Sequence, residues 1–447
     1  MKGKKALKIL VTVAVAIVIA VAAFFCGFIT SRLTRSRQAA SFDWAIRTIR
    51  KNYYQDIPSD DILSGTLKDV AARYLDIYSD YYTAEEYKAI TASNRGSKSG
   101  VGISYAYVPS GAHPSGKSGI LIESVVGNSP AYRSGLRAGE FVTAVERGSQ
   151  TTEFTSSESF ATCIDSLADG EKFTFVTDRG EHELAKSEYT ASYCTMSTST
   201  AQWSVVYDSD GANVKKTDGG IDYLPDGAAY LRLDQFYGSA AWEMASLIEI
   251  FNAQKCTSLI LDLRGNGGGY VDVMCDISGI YTGQLPERNK IGMIAVYKDG
   301  KKEGYSIKVG YPRSSQLPAG TKVSVLADNG TASASEALIG VLIDNGVIDY
   351  GDVYISDFSE KYLAFSHTAD KNCRTYGKGI MQTTFPNPLT GEALKLTTAK
   401  IYWPKGEVSI HDIGLNVGQG CRTVKADWDV TYGDEQLERA VKAIYAN

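Results

Sequence analysis

The pattern of hydrophobic and polar positions begins with a run over residues 9–29 that contains no charged side chain. As a helix, this run would be about 30 Å long, which matches the hydrocarbon core of a bilayer. We therefore predict a transmembrane anchor within residues 1–30. Lysines before the run and arginines after it favour a cytoplasmic N-terminus only weakly. A cleaved signal peptide is the alternative, although the apolar run is long for one.

Amphipathic helical spacing follows over residues 31–96. Apolar residues recur at three- and four-residue intervals, first at Phe42, Ala45, Ile46, Ile49 and Tyr53, then at Ile62, Leu63, Leu67, Val70 and Tyr74. Thr83 and Glu86 have the spacing of a capping box at the start of a further helix. This segment is predicted to be a linker with a small helical region.

Glycine-rich turns mark residues 97–190. Gly100, Val101, Gly102 and Ile103 form one such turn, followed by Ser-Pro-Ala at 129–131 and Gly-Leu-Arg-Ala-Gly at 135–139. The first turn alone is also typical of ordinary loops, but the motifs together and in this order resemble a PDZ domain. PDZ domains add an extended peptide to a sheet edge and hold its terminal carboxylate with backbone N–H groups. The resemblance implies that Gly100, Val101, Gly102 and Ile103 bind a peptide C-terminus.

Residues 191–447 contain two apolar strand patterns and one helical pattern. The apolar, β-branched runs at 258–263 and 322–327 each end in a turn cluster, as buried strands do. After the second run, Ala337, Leu338, Val341 and Leu342 repeat at helical spacing, and Asn345-Gly346 has the form of a helix C-cap.

A serine at the start of that helix is the first candidate for chemistry. Ser333 lies in the first helical turn, where unpaired backbone N–H groups favour negative charge, so the N–H of Ala334 could hold an oxyanion. The alternative is that this Ala/Ser run merely lets the helix pack closely on a sheet.

A lysine between two glycines is the second candidate. Glycines on both sides of Lys378 suggest a closely approached backbone, and burial could lower the lysine pKa enough to make it a base. Gln382, four residues later, would share a strand face with Lys378 and could orient its amine.

Together these motifs resemble the C-terminal processing peptidase family of serine proteases. The resemblance rests on Thr-Ala-Ser-Ala-Ser-Glu at 331–336, Tyr-Gly-Lys-Gly-x-x-Gln at 376–382, Leu-Arg-Gly-Asn-Gly-Gly-Gly at 263–269, and Tyr-Trp-Pro-Lys-Gly at 402–406. It implies that Ser333 is the nucleophile, Lys378 the general base and Gln382 its orienting partner. It also implies that Gly268, Gly269 and Ala334 supply backbone donors to an oxyanion hole.

Two departures from the family pattern matter. Gly267 stands where the family often has proline, and the interval from Ser333 to Lys378 is longer than usual. We place the excess at residues 349–374, which show little helical periodicity, and predict an insertion near the active site that could act as a lid.

Other chemistries find little support in the sequence. None of His113, His182, His367 and His411 lies in a motif typical of a catalytic triad or a zinc site, so no metal and no cofactor is expected. The seven cysteines have no framework spacing, and a net charge of −5 with interspersed signs predicts no nucleic-acid partner.

With the two resemblances, the sequence predicts an α/β multidomain protein: an anchor (1–30), a linker and helical region (31–96), a PDZ domain (97–190) and an α/β Ser/Lys protease core with a C-terminal helix (191–447). Its expected function is that of a membrane-anchored, extracytoplasmic serine endopeptidase whose PDZ domain binds C-terminal tails of proteins or peptides. The alternative is a catalytically degenerate PDZ scaffold or adaptor at the membrane. Whether the chain forms a homo-oligomer is left open.

Overall fold

The computed structural model describes residues 17, 19, 21–24, 59–113, 115–286, 288–308, 310–358, 372–426 and 435–446. The chain divides into two units, Met1–Thr83 and Ala84–Asn447, which are described separately.

The first unit contains a helix α1 (Ser59–Tyr74) and a short strand β1 (Asp80–Tyr82). Helix α1 confirms that the second set of helical positions, Ile62 to Tyr74, forms a helix, although Val70 and Tyr74 are exposed. The helix predicted from Phe42 to Tyr53 lies outside the described residues, as does most of the predicted anchor. Among the described residues, no helix combines the length and the apolar character needed to cross a membrane.

The second unit starts with a β-rich part that has its own apolar core. Its elements are α2 (Ala84–Asn94), β2 (Ser97–Gly100), β3 (Ile103–Val108), β4 (Gly119–Val125), α3 (Pro130–Arg133), β5 (Phe141–Arg147), β6 (Gln150–Thr152), α4 (Ser157–Asp165), β7 (Lys172–Thr177), β8 (Gly180–Ala185) and β9 (Ser187–Thr190). Strands β3-β4-β5-β7-β8 form one sheet in that order, with β6 beside β5, while β2 pairs with β9. Phe154, Phe160 and Phe175 are buried between this sheet and α4.

The α/β part that follows is built on an eight-stranded sheet. Its elements are β10 (Cys194–Ser197), β11 (Ala201–Asp208), β12 (Gly211–Asp218), β13 (Ala228–Leu233), α5 (Ala240–Ala253), β14 (Ser258–Asp262), α6 (Val271–Thr282), β15 (Ile291–Tyr297), β16 (Lys302–Ser306), β17 (Lys322–Ala327), α7 (Ala334–Asp344), β18 (Val353–Phe358), β19 (Ile380–Pro386), β20 (Ala393–Tyr402), β21 (Arg422–Ala426) and α8 (Glu435–Tyr445). The strand order is β12-β11-β10-β13-β14-β17-β18-β21. Strands β15, β16, β19 and β20 pair in a separate sheet.

The register of the parallel strands brings two turns together. Strand β14 pairs in parallel with β17, with Asp262 opposite Leu326, so both strands end at the same sheet edge. The turn after β14 carries the glycines at 265–269, and the turn after β17 leads into α7. Helix α7 begins at Ala334, so Ser333 is its N-cap and does not lie in the first helical turn as predicted. The helix ends at Asp344, where Asn345 is the predicted C-cap and Gly346 has a φ of 68°.

The prediction that residues 349–374 form an insertion is wrong for its first part. Residues Val353–Phe358 form strand β18, which lies between β17 and β21 in the main sheet. Val353 to Ser356 are all buried because both sheet faces are covered, and a strand of this kind carries no helical or alternating signature. Residues 359–371 lie outside the described residues.

Candidate active site

Ser333 occupies the junction between β17 and α7 in an unusual backbone conformation. It is the N-cap of α7 with φ 58° and ψ −115°, whereas positive φ is uncommon for residues other than glycine. Ser333 is partly exposed, while its neighbours Ala332 and Ala334 are buried. The strained turn therefore presents this serine at the edge of the sheet, and strain of this kind is often found at functional sites.

A buried carboxylate connects Ser333 with Lys378. The backbone N–H groups of both residues donate to Glu336 Oε2, each over 2.9 Å. Because they share one acceptor atom, the two nitrogens are at most about 6 Å apart. The other oxygen, Oε1, accepts from the N–H of Gly377 (2.8 Å) and the hydroxyl of Thr375 (2.5 Å).

The burial of Glu336 has an electrostatic consequence. Its side chain is completely buried, and this desolvation raises the carboxyl pKa, although its four hydrogen bonds oppose the rise. The residue was missed as a functional candidate from the sequence. The signal was present, since Ser333 and Glu336 have capping-box spacing and Glu336 Oε2 accepts from the N-cap N–H.

The glycines around Lys378 lie where other backbone segments come very close. A Cβ on Gly377 would lie 2.9 Å from the nitrogen of Gly414, and one on Gly379 would lie 2.7 Å from the nitrogen of His411. The close backbone approach predicted at this lysine is therefore confirmed. Lys378 is partly buried and precedes β19 by two residues.

Gln382 lies in β19, but the strand does not continue back to Lys378. A register shift occurs between Met381 and Gln382, so simple alternation does not place Gln382 and Lys378 on one face. The Gln382 amide nitrogen donates to Thr397 Oγ1 on the neighbouring strand (3.0 Å). The orienting role of Gln382 stays a prediction.

The glycine turn after β14 packs directly against the serine. A Cβ on Gly268 would lie 2.9 Å from both Ser333 Cβ and the nitrogen of Ala334, so only glycine fits there. The N–H of Gly268 donates to Asn266 Oδ1 (2.9 Å). The N–H of Ala334 opens α7 and so has no partner within the helix. The backbone-donor roles of Gly268, Gly269 and Ala334 remain predictions.

Asn266 connects the turn after β14 with the turn after β17 through hydrogen bonds. It is a second functional candidate that was not predicted from the sequence. Its carbonyl accepts from Ala332 N (3.0 Å) and from Ser335 Oγ (2.8 Å), and its side-chain nitrogen donates to Leu233 O (2.8 Å). No spacing rule could have found these partners, because they come from distant segments.

A buried ion-pair network lies at the end of β14, directly before the turn that carries the glycines. Asp262 accepts from Arg264 Nη2 (2.6 Å), Arg232 Nη1 (3.3 Å) and the Tyr230 hydroxyl (2.6 Å). Burial of Asp262 would raise its carboxyl pKa, but the two guanidinium groups prevail and hold the pKa well below its usual range. Arg264 Nη1 also donates to Gln436 Oε1 on α8 (2.8 Å).

A groove of about 740 Å³ lies in the β-rich part, and three of the four predicted peptide-binding residues line it, while Gly100 does not. Val101, Gly102, Ile103, Phe160 and Ile164 line it. Among the described strands, β3 pairs only with β4, so its other edge is available to an added strand. Peptide binding by Gly100, Val101, Gly102 and Ile103 stays a prediction.

Two of the described histidines lie in the β-rich part, and the third lies beside Gly379. His113 stacks on Phe141 with ring centroids 3.8 Å apart, and His182 Nε2 lies 2.8 Å from Glu140 Oε2, both in the β-rich part. His411 lies against Gly379, one residue from Lys378, and its Nε2 is 3.6 Å from Asp412 Oδ2. His367 lies outside the described residues.

Comparison with known proteins yields matches in sequence. Residues 227–350 match the model of Peptidase family S41. A probable CtpA-like serine protease of Staphylococcus epidermidis is 25% identical over 387 residues, which cover 86% of this chain and 65% of that protein. The carboxy-terminal processing protease CtpA of Bacillus subtilis is 25% identical over 372 residues, which cover 83% and 66%. The chain thus spans slightly less than two thirds of the length of each of these relatives.

A solved structure shares the fold. A protein of Bacteroides fragilis, named as an S41 protease, aligns with a TM-score of 0.52 and 15% identity over 90% of this chain and 97% of its own. The matched family region, 227–350, contains both the glycine turn after β14 and the turn with Ser333.

Proposed function

We propose that this chain is a serine endopeptidase with a Ser333/Lys378 dyad, and the match of its residues 227–350 to peptidase family S41 supports this. In the first step, the neutral amine of Lys378 accepts the Ser333 Oγ proton while Oγ adds to the scissile carbonyl. The resulting oxyanion is held by backbone N–H groups of Ala334 and the glycine turn. Collapse of the intermediate expels the amine product with a proton from Lys378, and water then hydrolyses the acyl-enzyme.

The observation that carries this proposal is the shared acceptor Glu336 Oε2. A buried carboxylate that binds the backbone of both Ser333 and Lys378 fixes the two segments in register, although they lie 45 positions apart. Such fixed geometry is what an activated nucleophile and its base require.

The substrate in this proposal is the C-terminal tail of a protein or peptide. The tail would add as a strand to the open edge of β3, with its carboxylate at Gly100, Val101, Gly102 and Ile103. The positive φ of Gly100 (119°) and Gly102 (81°) supports a turn whose backbone can approach a ligand. The apolar lining by Phe160 and Ile164 fits an apolar terminal side chain.

The cellular setting in this proposal is the outer face of a membrane. The uncharged run at 9–29 would serve as a single anchor, with the catalytic part extracytoplasmic. The carboxy-terminal processing name of the relative from Bacillus subtilis fits such a tail-cutting role.

The dyad is tested by Ser333→Ala, Lys378→Ala and Lys378→Arg in a purified soluble form lacking residues 1–30. Each variant should lower kcat on an unfolded protein at least about 10³-fold, since nucleophile and base act as a unit. Lys378→Arg keeps a positive charge but cannot deprotonate, so it separates base catalysis from charge. Near-normal turnover by any of the three would refute the assignment.

A catalytically degenerate PDZ scaffold is the second candidate. Two observations favour it: the Gly268 N–H donates to Asn266 Oδ1, and the Gln382 amide nitrogen donates to Thr397 Oγ1, so both donors are bonded to other groups of the fold. A serine-reactive fluorophosphonate probe distinguishes the two candidates. Labelling of the wild type that is absent from Ser333→Ala supports the enzyme, whereas no labelling even with added tail peptide supports the scaffold.

A further inference from the structure

Helix α2 connects the groove to the catalytic core. Ala89 and Ser93, on α2, line the groove together with Ser97 and Lys98 of β2. The next residue after Ser93, Asn94, makes two contacts with the core. Its side-chain nitrogen donates to the Tyr270 hydroxyl (3.1 Å), and its carbonyl accepts from the N–H of Gly238 (3.0 Å).

The two contacts of Asn94 are made with two segments, one containing Gly238 and the other Tyr270, that are hydrogen-bonded to each other next to the glycine turn. Tyr270 directly follows Gly269, and its N–H donates to Phe236 O (2.9 Å). Phe236 N–H in turn donates to Gly268 O (3.0 Å), which makes an isolated parallel bridge between Phe236 and Gly269. Gly238 lies two residues after Phe236, so Asn94 contacts both sides of this bridge.

The bridge has little room to move relative to the serine. A Cβ on Gly269 would lie 2.4 Å from Phe236 O, and one on Gly268 would lie 2.9 Å from Ser333 Cβ. The Tyr270 ring packs edge-on against Tyr237, with centroids 5.1 Å apart. Because these contacts are tight, a small shift of Tyr270 must move the glycine turn or break the bridge.

We propose that Asn94 is a positioning residue that couples occupancy of the groove to the geometry of the oxyanion turn at Gly268 and Gly269. This inference rests on the proposed function and adds to it a route by which a bound tail regulates cleavage. A strand added to β3 must fit beside Ala89 and Ser93, and a rigid helix transmits that fit to Asn94 one residue later. The coupling is reciprocal, so an acyl-enzyme at Ser333 raises the affinity of the groove for a tail.

Removing one side of the Asn94–Tyr270 hydrogen bond tests the coupling. Asn94→Ala and Tyr270→Phe should each lower kcat on a tailed substrate roughly 3- to 10-fold, with KM changed less. The double variant should lose no more than either single variant, because both remove the same bond. Asn94→Asp should retain activity, since the Tyr270 hydroxyl can donate to the carboxylate. Lys88→Ala, an exposed position on α2, is the matched control.

A readout independent of turnover is hydrogen exchange of residues 265–270 in the Ser333→Ala background. The probe is a short fluorescein-labelled peptide that ends in valine with a free carboxylate, and its C-terminal amide is the negative control. Peptide binding should slow exchange in this turn, and Asn94→Ala should speed exchange without peptide and abolish the slowing. Binding is followed separately by fluorescence anisotropy.

The outcomes separate the inference from the proposed function. If the wild type hydrolyses tailed substrates and Asn94→Ala retains its kcat and its exchange response, the coupling is refuted while the protease stands. Additive losses in the double variant also refute it. If the wild type binds no peptide, the groove assignment and the coupling fail together. If it binds peptide with the expected exchange response but never hydrolyses a tailed substrate, only the protease assignment fails.

Discussion

At the residue scale, the site depends on a few groups whose roles come from burial. Ser333 has positive φ and Gly268 packs against its Cβ, so the nucleophile candidate and the glycine turn fit each other only in this arrangement. Glu336 holds both candidate dyad residues through their backbones. The sequence predicted Ser333 at a helix start but not this carboxylate function, because three of its four donors come from residues 375–378.

Glu336→Gln should reduce activity strongly. The amide keeps one acceptor oxygen but brings its NH₂ group against donors, so at least one buried donor loses its partner at a cost of about 2 kcal/mol. We expect kcat to fall about 100-fold and the melting temperature to fall as well, measured by peptide cleavage and calorimetry. Glu407→Gln, at an exposed glutamate, is the control. Wild-type kcat in the Glu336 variant would contradict this positioning role.

His411→Gln tests whether the mechanism needs a histidine. His411 packs against Gly379, the residue that follows Lys378. If lysine is the base, the variant should keep its kcat within about 3-fold and the shape of its pH–rate profile. A loss of kcat as large as that expected for Lys378→Ala would instead assign the proton transfer to His411.

At the scale of elements, the parallel register of β14 and β17 decides where the chemistry can occur. The sequence predicted both strands and the helix after β17, because apolar runs bounded by turn residues are strong local signals. It missed β18, whose four buried residues look irregular until the strands on both sides are in place. The Asp262 network at the end of β14 was also beyond local reasoning, since Arg232 and Gln436 come from distant elements.

Asp262→Asn should destabilise the protein most at neutral pH. The folded-state pKa of Asp262 is lowered, so its contribution to stability is fully present above the unfolded value of about 4 and is lost as the pH falls below it. At pH 7, leaving two arginines beside an amide should cost about 3 kcal/mol. The difference in unfolding free energy between wild type and variant should narrow below pH 4 in urea titrations. A difference in unfolding free energy that does not change with pH would contradict the lowered folded-state pKa of Asp262.

At the scale of the whole molecule, two sites are needed for the proposed function: a groove for the tail and a dyad for the cut. The groove comprises residues from α2, β2, β3 and α4, and the dyad region comprises turns after β14 and β17 together with the segment before β19. The sequence predicted these two parts as separate domains, 97–190 and 191–447. It gave no indication that Asn94, before the first of them, contacts Tyr270 in the second.

Ile164→Asp should separate the two sites. A carboxylate beside Phe160, on the apolar side of the groove, should raise KM for tailed substrates at least about 10-fold, because the added charge opposes both an apolar side chain and the terminal carboxylate of the tail. Labelling of Ser333 by a small fluorophosphonate should fall far less. Asp169→Ala, outside the groove lining, is the control. Equal loss of peptide cleavage and probe labelling would indicate general misfolding instead.

The sequence by itself determined the local features of this protein: the two strands that carry the turns of the candidate site, the helix that follows Ser333, the glycines that allow close backbone approach, and the residue types of the proposed Ser/Lys dyad. These follow from periodicity, turn chemistry and sterics, which act over a few residues. Only the tertiary structure decided that Glu336 binds the backbone of both Ser333 and Lys378, that Asn266 joins the two turns, and that Asn94 reaches Tyr270. Those contacts join residues up to 176 positions apart, and no local pattern encodes which distant groups will satisfy a buried donor or acceptor.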